Sequence, residues 1–283
     1  MYLKIVNELG RIDELPTIPQ VLLHLNSALA NPKTCAKDIA ELVEQDQVLT
    51  TRILKLVNAA FYGYSRKITT LTQAIVIVGF REIKNLVLAS KTFDFFKSCG
   101  KKSEGLFDVN KLWKHSAACA AISKKIAEKS GYEDIESLLV AGLIHDIGKV
   151  VEIKCLWDHM PKIFSMMKER NISMDDAEQE VFNVTHAEIG KVLADMWDFP
   201  PMLEEIVAYH HTPQLSSNYP KETAIIHIAN SLCWEIGIGS SPGNVFQPVN
   251  EQAWGIAGID EQHKKRLKIE AEMELTDLLE IFT

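Results

Sequence analysis

SLLVAGLIHDIGKVV, residues 137–151, decides the reading of this chain. Apolar residues fill almost every position from Leu138 to Ile144. His145 and Asp146 follow, with Lys149 one turn further on. The pattern predicts one buried helix across 137–151. A carboxylate there is poorly solvated, and burying it without a partner is expensive. It needs a cation, a metal or strong hydrogen-bond donors. Two readings stay open on these residues alone. Either Asp146 caps neighbouring backbone groups while His145 bonds into the core, or the pair belongs to a metal site.

Helical periods extend outward in both directions. DIAELVEQD (38–46) places Ile39, Leu42 and Val43 on one face, with Asp38 as its expected N-cap. VLTTRILKLVNAA (48–60) repeats the pattern. VNKLWKHSAACAAISKKIAEKSG (109–131) predicts a long helix ending at Gly131. Segments 185–197, 201–211 and 222–237 read as further helices, and a last one is expected near 273–282. IVIV at 75–78 has strand composition but sits inside a longer helical period, so it reads as helix, with Gly79 as an interruption. The expected fold class is all-α. Polar, glycine-bearing KSCGKKSEG (97–105) and IGIGSSPGNVFQPVNEQ (236–252) mark the places to divide it.

Composition removes several classes. Of 283 residues, 47% are hydrophobic and 24% charged, enough apolar surface to offset ordering entropy, so the chain is not disordered. A net charge of −8 gives no general attraction to nucleic acid or anionic lipid, which argues against extended nucleic-acid binding. Five scattered cysteines without a C-x-x-C pair predict neither a disulfide framework nor a zinc ribbon, and fit a reducing compartment. The N-terminus lacks a signal-peptide pattern. The most apolar run, LTQAIVIVGF (71–80), is well short of the roughly 20 residues a membrane span needs. A cytoplasmic protein without membrane association is expected.

The histidines carry the chemistry. Thr185-His186 opens a predicted helix and His210-His211 closes another. Ligands from separate helices meeting in a bundle core are how helical proteins build metal sites. Imidazole with carboxylate suits iron, manganese or zinc. His24, His159 and His263 read as structural or solvated. His227, three residues before Asn230, is either core or an outer layer of the site. Phe61, Tyr62 and Tyr64 form either a packed turn or a partner-docking surface. No P-loop or G-x-S-x-G motif is present.

L-I-H-D-I-G-K (143–149) resembles the motif of the HD superfamily of metal-dependent phosphohydrolases. Upstream, LPTIPQVLLHLNSALANPKTCAKDIAELVEQDQVLTTRILKLVNAAFYG (15–63) and KITTLTQAIVIVGFREIKNLVLAS (67–90) are similar to the start of an HDOD domain. The resemblance covers about residues 15–240. It implies a two-lobed, all-helical bacterial signalling module that binds a protein partner or a nucleotide, with little or no turnover. The implied divisions are an N-terminal lobe (1–108), an HD-like lobe (109–240) and a C-terminal extension (241–283).

Matched residue by residue to the related HD-GYP enzymes, His115 takes the place of the first histidine, and His145 and Asp146 that of the pair. Lys149 matches the lysine facing phosphate, His186 the next histidine, and His210 and His211 the double histidine. Asn230 stands where those enzymes have a late aspartate, and their Gly-Tyr-Pro loop is reduced to Ser217-Asn218-Tyr219-Pro220. The resemblance thus implies one or two divalent ions. One position has the full set Asp146, His186, His210 and His211. The other has His115, His145, Asp146 and Asn230, one charge short. Asp146 and Lys149 are the implied catalytic candidates. A working phosphohydrolase acting on a nucleotide or cyclic dinucleotide is the alternative reading.

Overall fold

The apolar periods become helices, and among the described residues there is no strand. The computed structural model describes residues 17–58, 67–99, 107–239, 245, 248–260, 263–264 and 266–267. The Phe61, Tyr62 and Tyr64 cluster, most of 97–105 and the expected helix at 273–282 lie outside the described residues.

The first described helices are α1 (Gln20–Leu29), α2 (Ala36–Glu44) and α3 (Gln47–Val57). Asp38 is not the N-cap of α2. The helix starts earlier, at a Cys35 cap, and the Asp38 carboxylate accepts the Cys35 backbone N–H at 2.8 Å from the first turn. An acid three residues into a helix satisfies the cap N–H and complements the helix dipole. Asp46 caps α3 by accepting Leu49 N–H at 2.9 Å. IVIV lies inside α4 (Leu71–Val78), as the longer period required. Gly79, at φ 87°, turns the chain into α5 (Phe80–Cys99). That backbone conformation strains any residue with a Cβ.

The second half opens with α6 (Val109–Lys129), capped by Asp108, which accepts the N–H groups of Asn110 and Lys111. The predicted 137–151 helix is two helices, α7 (Ile135–Ile144) and α8 (Ile147–Cys155), and His145-Asp146 is the corner between them. The correction matters chemically. At a corner both side chains point where neighbouring helices converge, and a continuous helix would have turned them about 100° apart. Next come α9 (Met160–Arg170), α10 (Met174–Phe182), α11 (His186–Met196) and α12 (Pro201–Tyr209). The last two among the described residues are α13 (Pro220–Glu235) and α14 (Glu251–Ala257).

Small residues set the helix spacing. A Cβ on Gly142 of α7 would stand 2.5 Å from the Ala120 Cα of α6, so these helices touch backbone to backbone. A Cβ on Gly148 would come 1.8 Å from the His186 carbonyl oxygen, and one on Gly190 would meet Val207 at 2.7 Å. Those contacts draw α8, α11 and α12 together. α13 packs along α6 and α5 rests on both α7 and α8. Among the described residues the buried apolar side chains form one cluster, with members from Leu22 to Leu267. Among the described residues no helix is long and apolar enough to cross a membrane.

Candidate metal centre

Asp146 sits at the middle of the site, fully buried at the α7–α8 corner. Its two oxygens face different histidines. Oδ1 lies 3.3 Å from Nε2 of His186 and 3.6 Å from Nε2 of His210. Oδ2 lies 3.6 Å from Nε2 of His115 and 3.5 Å from Nε2 of His145. His211 joins the first side, with its Nε2 3.0 Å from that of His186. Among the described residues three groupings could hold a metal ion: Asp146, His186, His210 and His211; His115, His145 and Asp146; and Asp175, Glu178 and His186.

Local structure fixes each ring. His115 Nδ1 donates to the Ile238 carbonyl at 2.7 Å, His145 Nδ1 to that of Gly142 at 2.8 Å, and His210 Nδ1 to that of Val207 at 2.9 Å. A ring that donates from Nδ1 carries a bare lone pair on Nε2 when neutral. Burial pushes His115 down to about 3 and lowers His210, so both are neutral near pH 7. Bare nitrogens on His115 and His210 therefore face one carboxylate, and the Nε2 atoms of His115, His145 and His210 have no hydrogen-bond partner. Buried polar atoms rarely go unsatisfied. Lone pairs aimed at a carboxylate, with each opposite nitrogen anchored on a carbonyl, are the donor arrangement of a metal centre. The residues present fit a divalent ion.

His186 is held differently. Its Nδ1 lies 2.8 Å from Glu178 Oε2 and 3.2 Å from Asp175 Oδ1, and its backbone N–H donates to Glu178 at 2.7 Å. Burial disfavours a charge on this ring, but Glu178 and Asp175 outweigh it and raise His186 well above the usual histidine range. Burial, with Glu178 beside it, also raises the Glu152 carboxyl, and burial lifts Asp175 to about 6. Burial and the neighbouring His210 lower His211. Asp175 and His211 are the more open members, with 14% and 18% of their side chains exposed. The centre therefore meets solvent on its Oδ1 side.

Sequence reasoning missed Asp175, Glu178 and Glu152. MDDAEQE (174–180) reads as a solvated acidic face, and nothing in its spacing announces that Glu178 turns inward. Lys149 is not open towards solvent, as a phosphate-facing lysine would be. It is 3% exposed on its side chain, and its Nζ lies 2.7 Å from Asp146 Oδ2. Burial opposes the lysine charge, but Asp146 keeps it protonated. Burial alone would raise Asp146, but the Lys149 ammonium beside it holds it well below the usual carboxylate range.

Asn230 is buried on α13 with its Oδ1 lacking a hydrogen-bond partner. One turn on, the Trp234 ring lies 6.0 Å from that of His115, which brings this stretch of α13 against the His115 side. His227 belongs to the outer layer. Its Nδ1 donates to the His210 carbonyl at 2.8 Å and its Nε2 accepts Asn250 N–H at 2.9 Å. His24 and His159 are exposed, and His263 bonds Asp260. The 216–219 loop is tied down by Glu205, another residue the sequence did not single out. Its carboxylate accepts from Ser216 Oγ, Asn218 N–H, Asn218 Nδ2 and Tyr219 N–H. Burial alone would raise Glu205, but those bonds together hold it down at about 2.

An all-helical core enclosing a carboxylate ringed by histidines from four helices and their ends defines an HD-type fold with a candidate metal centre. More narrowly, residues 15–213 match the HDOD domain, and the chain belongs to that family. An uncharacterized protein of Treponema pallidum (strain Nichols) is 30% identical over 223 residues, 78% of this chain and 42% of that protein. The chain thus spans less than half the length of that relative. A crystal structure of an HDOD domain protein of unknown function from Geobacter sulfurreducens is similar with a TM-score of 0.74. It is 26% identical, covering 99% of this chain and 95% of that one. A Shewanella amazonensis SB2B protein, provisionally described as a phosphohydrolase, shares the fold with a TM-score of 0.70. It is 23% identical, covering 99% and 97% of the two chains.

Proposed function

We propose that this chain is a bacterial, cytoplasmic signal-transduction module that holds a divalent metal, iron, manganese or zinc, and binds a protein partner or nucleotide with little or no turnover. The working parts are an N-terminal lobe to residue 108, the HD-like lobe 109–240 and an extension beyond. Asp146, His186, His210 and His211 are the metal ligands, and His115, His145 and Asn230 line the weaker side. A bound ion would act there as a Lewis acid and lower the pKa of a water. The observation that carries the reading is Asn230. Its neutral amide is buried with an unpartnered oxygen, one turn from the Trp234 ring that lies against His115. It takes the position at which the resemblance puts a second charged ligand, and a weakly held second ion cannot clamp both reacting oxygens. The ordered 216–219 turn, closed on Glu205, supports the same reading.

The alternative is a metal-dependent phosphohydrolase acting on a nucleotide or cyclic dinucleotide, with Asp146 and Lys149 as catalytic groups. The complete ligand set on the Oδ1 side favours it. Metal content of the purified chain, with hydrolysis of cyclic-di-GMP and of bis(p-nitrophenyl) phosphate in added manganese or iron, separates the two. The module reading expects bound metal with turnover at or near background. Brisk hydrolysis by the unmodified chain would promote the hydrolase.

A further inference from the structure

Lys149 raises a question that the ligand count does not answer. Asp146 must share its two oxygens between two metal positions if both are to be filled. Oδ1 faces His186 and His210, at 3.3 and 3.6 Å. Oδ2 faces His115 and His145 at 3.6 and 3.5 Å, and the same oxygen takes the Lys149 ammonium at 2.7 Å. Lys149 is not a surface side chain that has folded inward. It stands in the first turn of α8, its own N–H bonded to the Asp146 carbonyl at 3.0 Å, and it is 3% exposed. The glycine before it is pressed against the His186 carbonyl, so α8 has no room to rotate and withdraw it.

Charge on the two sides of Asp146 is unequal. Behind His186 on the Oδ1 side stand Glu178 and Asp175, with Glu152 buried nearby. On the Oδ2 side the supports of His115 and His145 are neutral carbonyls. A fixed ammonium on the electrically poorer side satisfies the carboxylate oxygen and repels a second cation, and low dielectric strengthens that repulsion. We infer that Lys149 stands in for the second metal ion, so that the chain holds one divalent ion, on the Oδ1 side of Asp146. The inference rests on the metal-binding reading above and adds a count and a place to it.

The test is manganese stoichiometry of the full chain by elemental analysis after equilibration and desalting, with thermal unfolding followed in parallel. The parent chain should carry about one ion, and Asn230→Asp alone should stay nearer one than two, because the lysine remains. Lys149→Met combined with Asn230→Asp should carry about two, with a second metal-dependent rise in unfolding temperature. Removing the ammonium strands a buried carboxylate, so Lys149→Gln, neutral but still a donor, replaces Lys149→Met if the latter fails to fold. Two ions in the parent chain, or in Asn230→Asp with the lysine intact, would overturn the inference and leave metal binding standing. A double variant that folds and still carries one ion overturns it equally. No metal in any variant would overturn the metal-binding reading itself.

Discussion

The two sides of Asp146 are built from the same side chain types and behave differently. On the Oδ1 side, His186 is backed by carboxylates, and His211 and Asp175 reach solvent. On the Oδ2 side, His115 and His145 are fully buried and held by carbonyls, with the ammonium already in place. Three imidazoles and a carboxylate do not by themselves make a metal site of given strength. What stands behind each ring sets its charge, and what already occupies the central oxygen sets whether a cation can enter.

The largest expected effect comes from removing the shared residue. Asp146→Ala should abolish metal binding on both sides and leave Lys149 buried without its counter-charge. Breaking a buried pair this way costs about 3–5 kcal/mol. Urea unfolding with metal analysis checks it, and retention of metal by a folded Asp146→Ala chain would end the comparison between its two oxygens.

The next pair of variants sets side against side. His210→Ala should weaken manganese binding by more than the roughly 100-fold at the upper end for outer-layer partners. His115→Ala should leave both stoichiometry and affinity close to those of the parent. Equal losses in the two, measured by calorimetric titration, would show that the sides are equivalent.

Glu178→Gln probes the backing alone, and about a 10–100-fold loss of affinity is expected. The pH dependence sharpens it. His186 is raised, so the metal-free ring is protonated near neutrality and must release a proton to bind. Affinity should therefore climb with pH by about tenfold per unit, the slope for one released proton. His210 and His211 are lowered and add no such slope there. With glutamine at 178 the ring loses the charge that held its proton, and the slope should flatten.

How much of this was legible in the sequence differs by element. The side chains that gather around Asp146 were, because His145-Asp146 sits within an apolar run and His186, His210 and His211 mark helix ends. The corner was not. Apolar residues resume directly after 145–146 with no glycine or proline at the break, and the close approach of Gly148 to the His186 backbone of α11 shows only in the fold. Glu178 was hidden because an acid in MDDAEQE looks the same whether it faces water or a ring eight residues away. Glu205 was hidden likewise, its role lying in a loop eleven or more residues on.

The smallest effect expected is at Glu205, which touches neither side. Glu205→Gln should cost about 1–2 kcal/mol near neutral pH, the worth of hydrogen bonds to a charged acceptor. Its carboxyl is held down at about 2. The contribution is thus complete above its unfolded value of about 4.3 and fades as pH falls towards 2. Urea midpoints for parent and variant should converge in acid while manganese affinity stays equal. A changed affinity would tie the loop to the centre.

Gly148 stands inside the same seven residues as the histidine and the aspartate, yet it answers to a different constraint. A side chain there would collide with the His186 backbone, whatever occupied the ligand positions. A descendant of this chain could trade every imidazole for a hydrocarbon, abandon cations altogether, and still be obliged to retain that glycine for as long as α8 crosses α11. In such a lineage the glycine would be a record of shape, and only the letters on either side of it would tell whether chemistry survived.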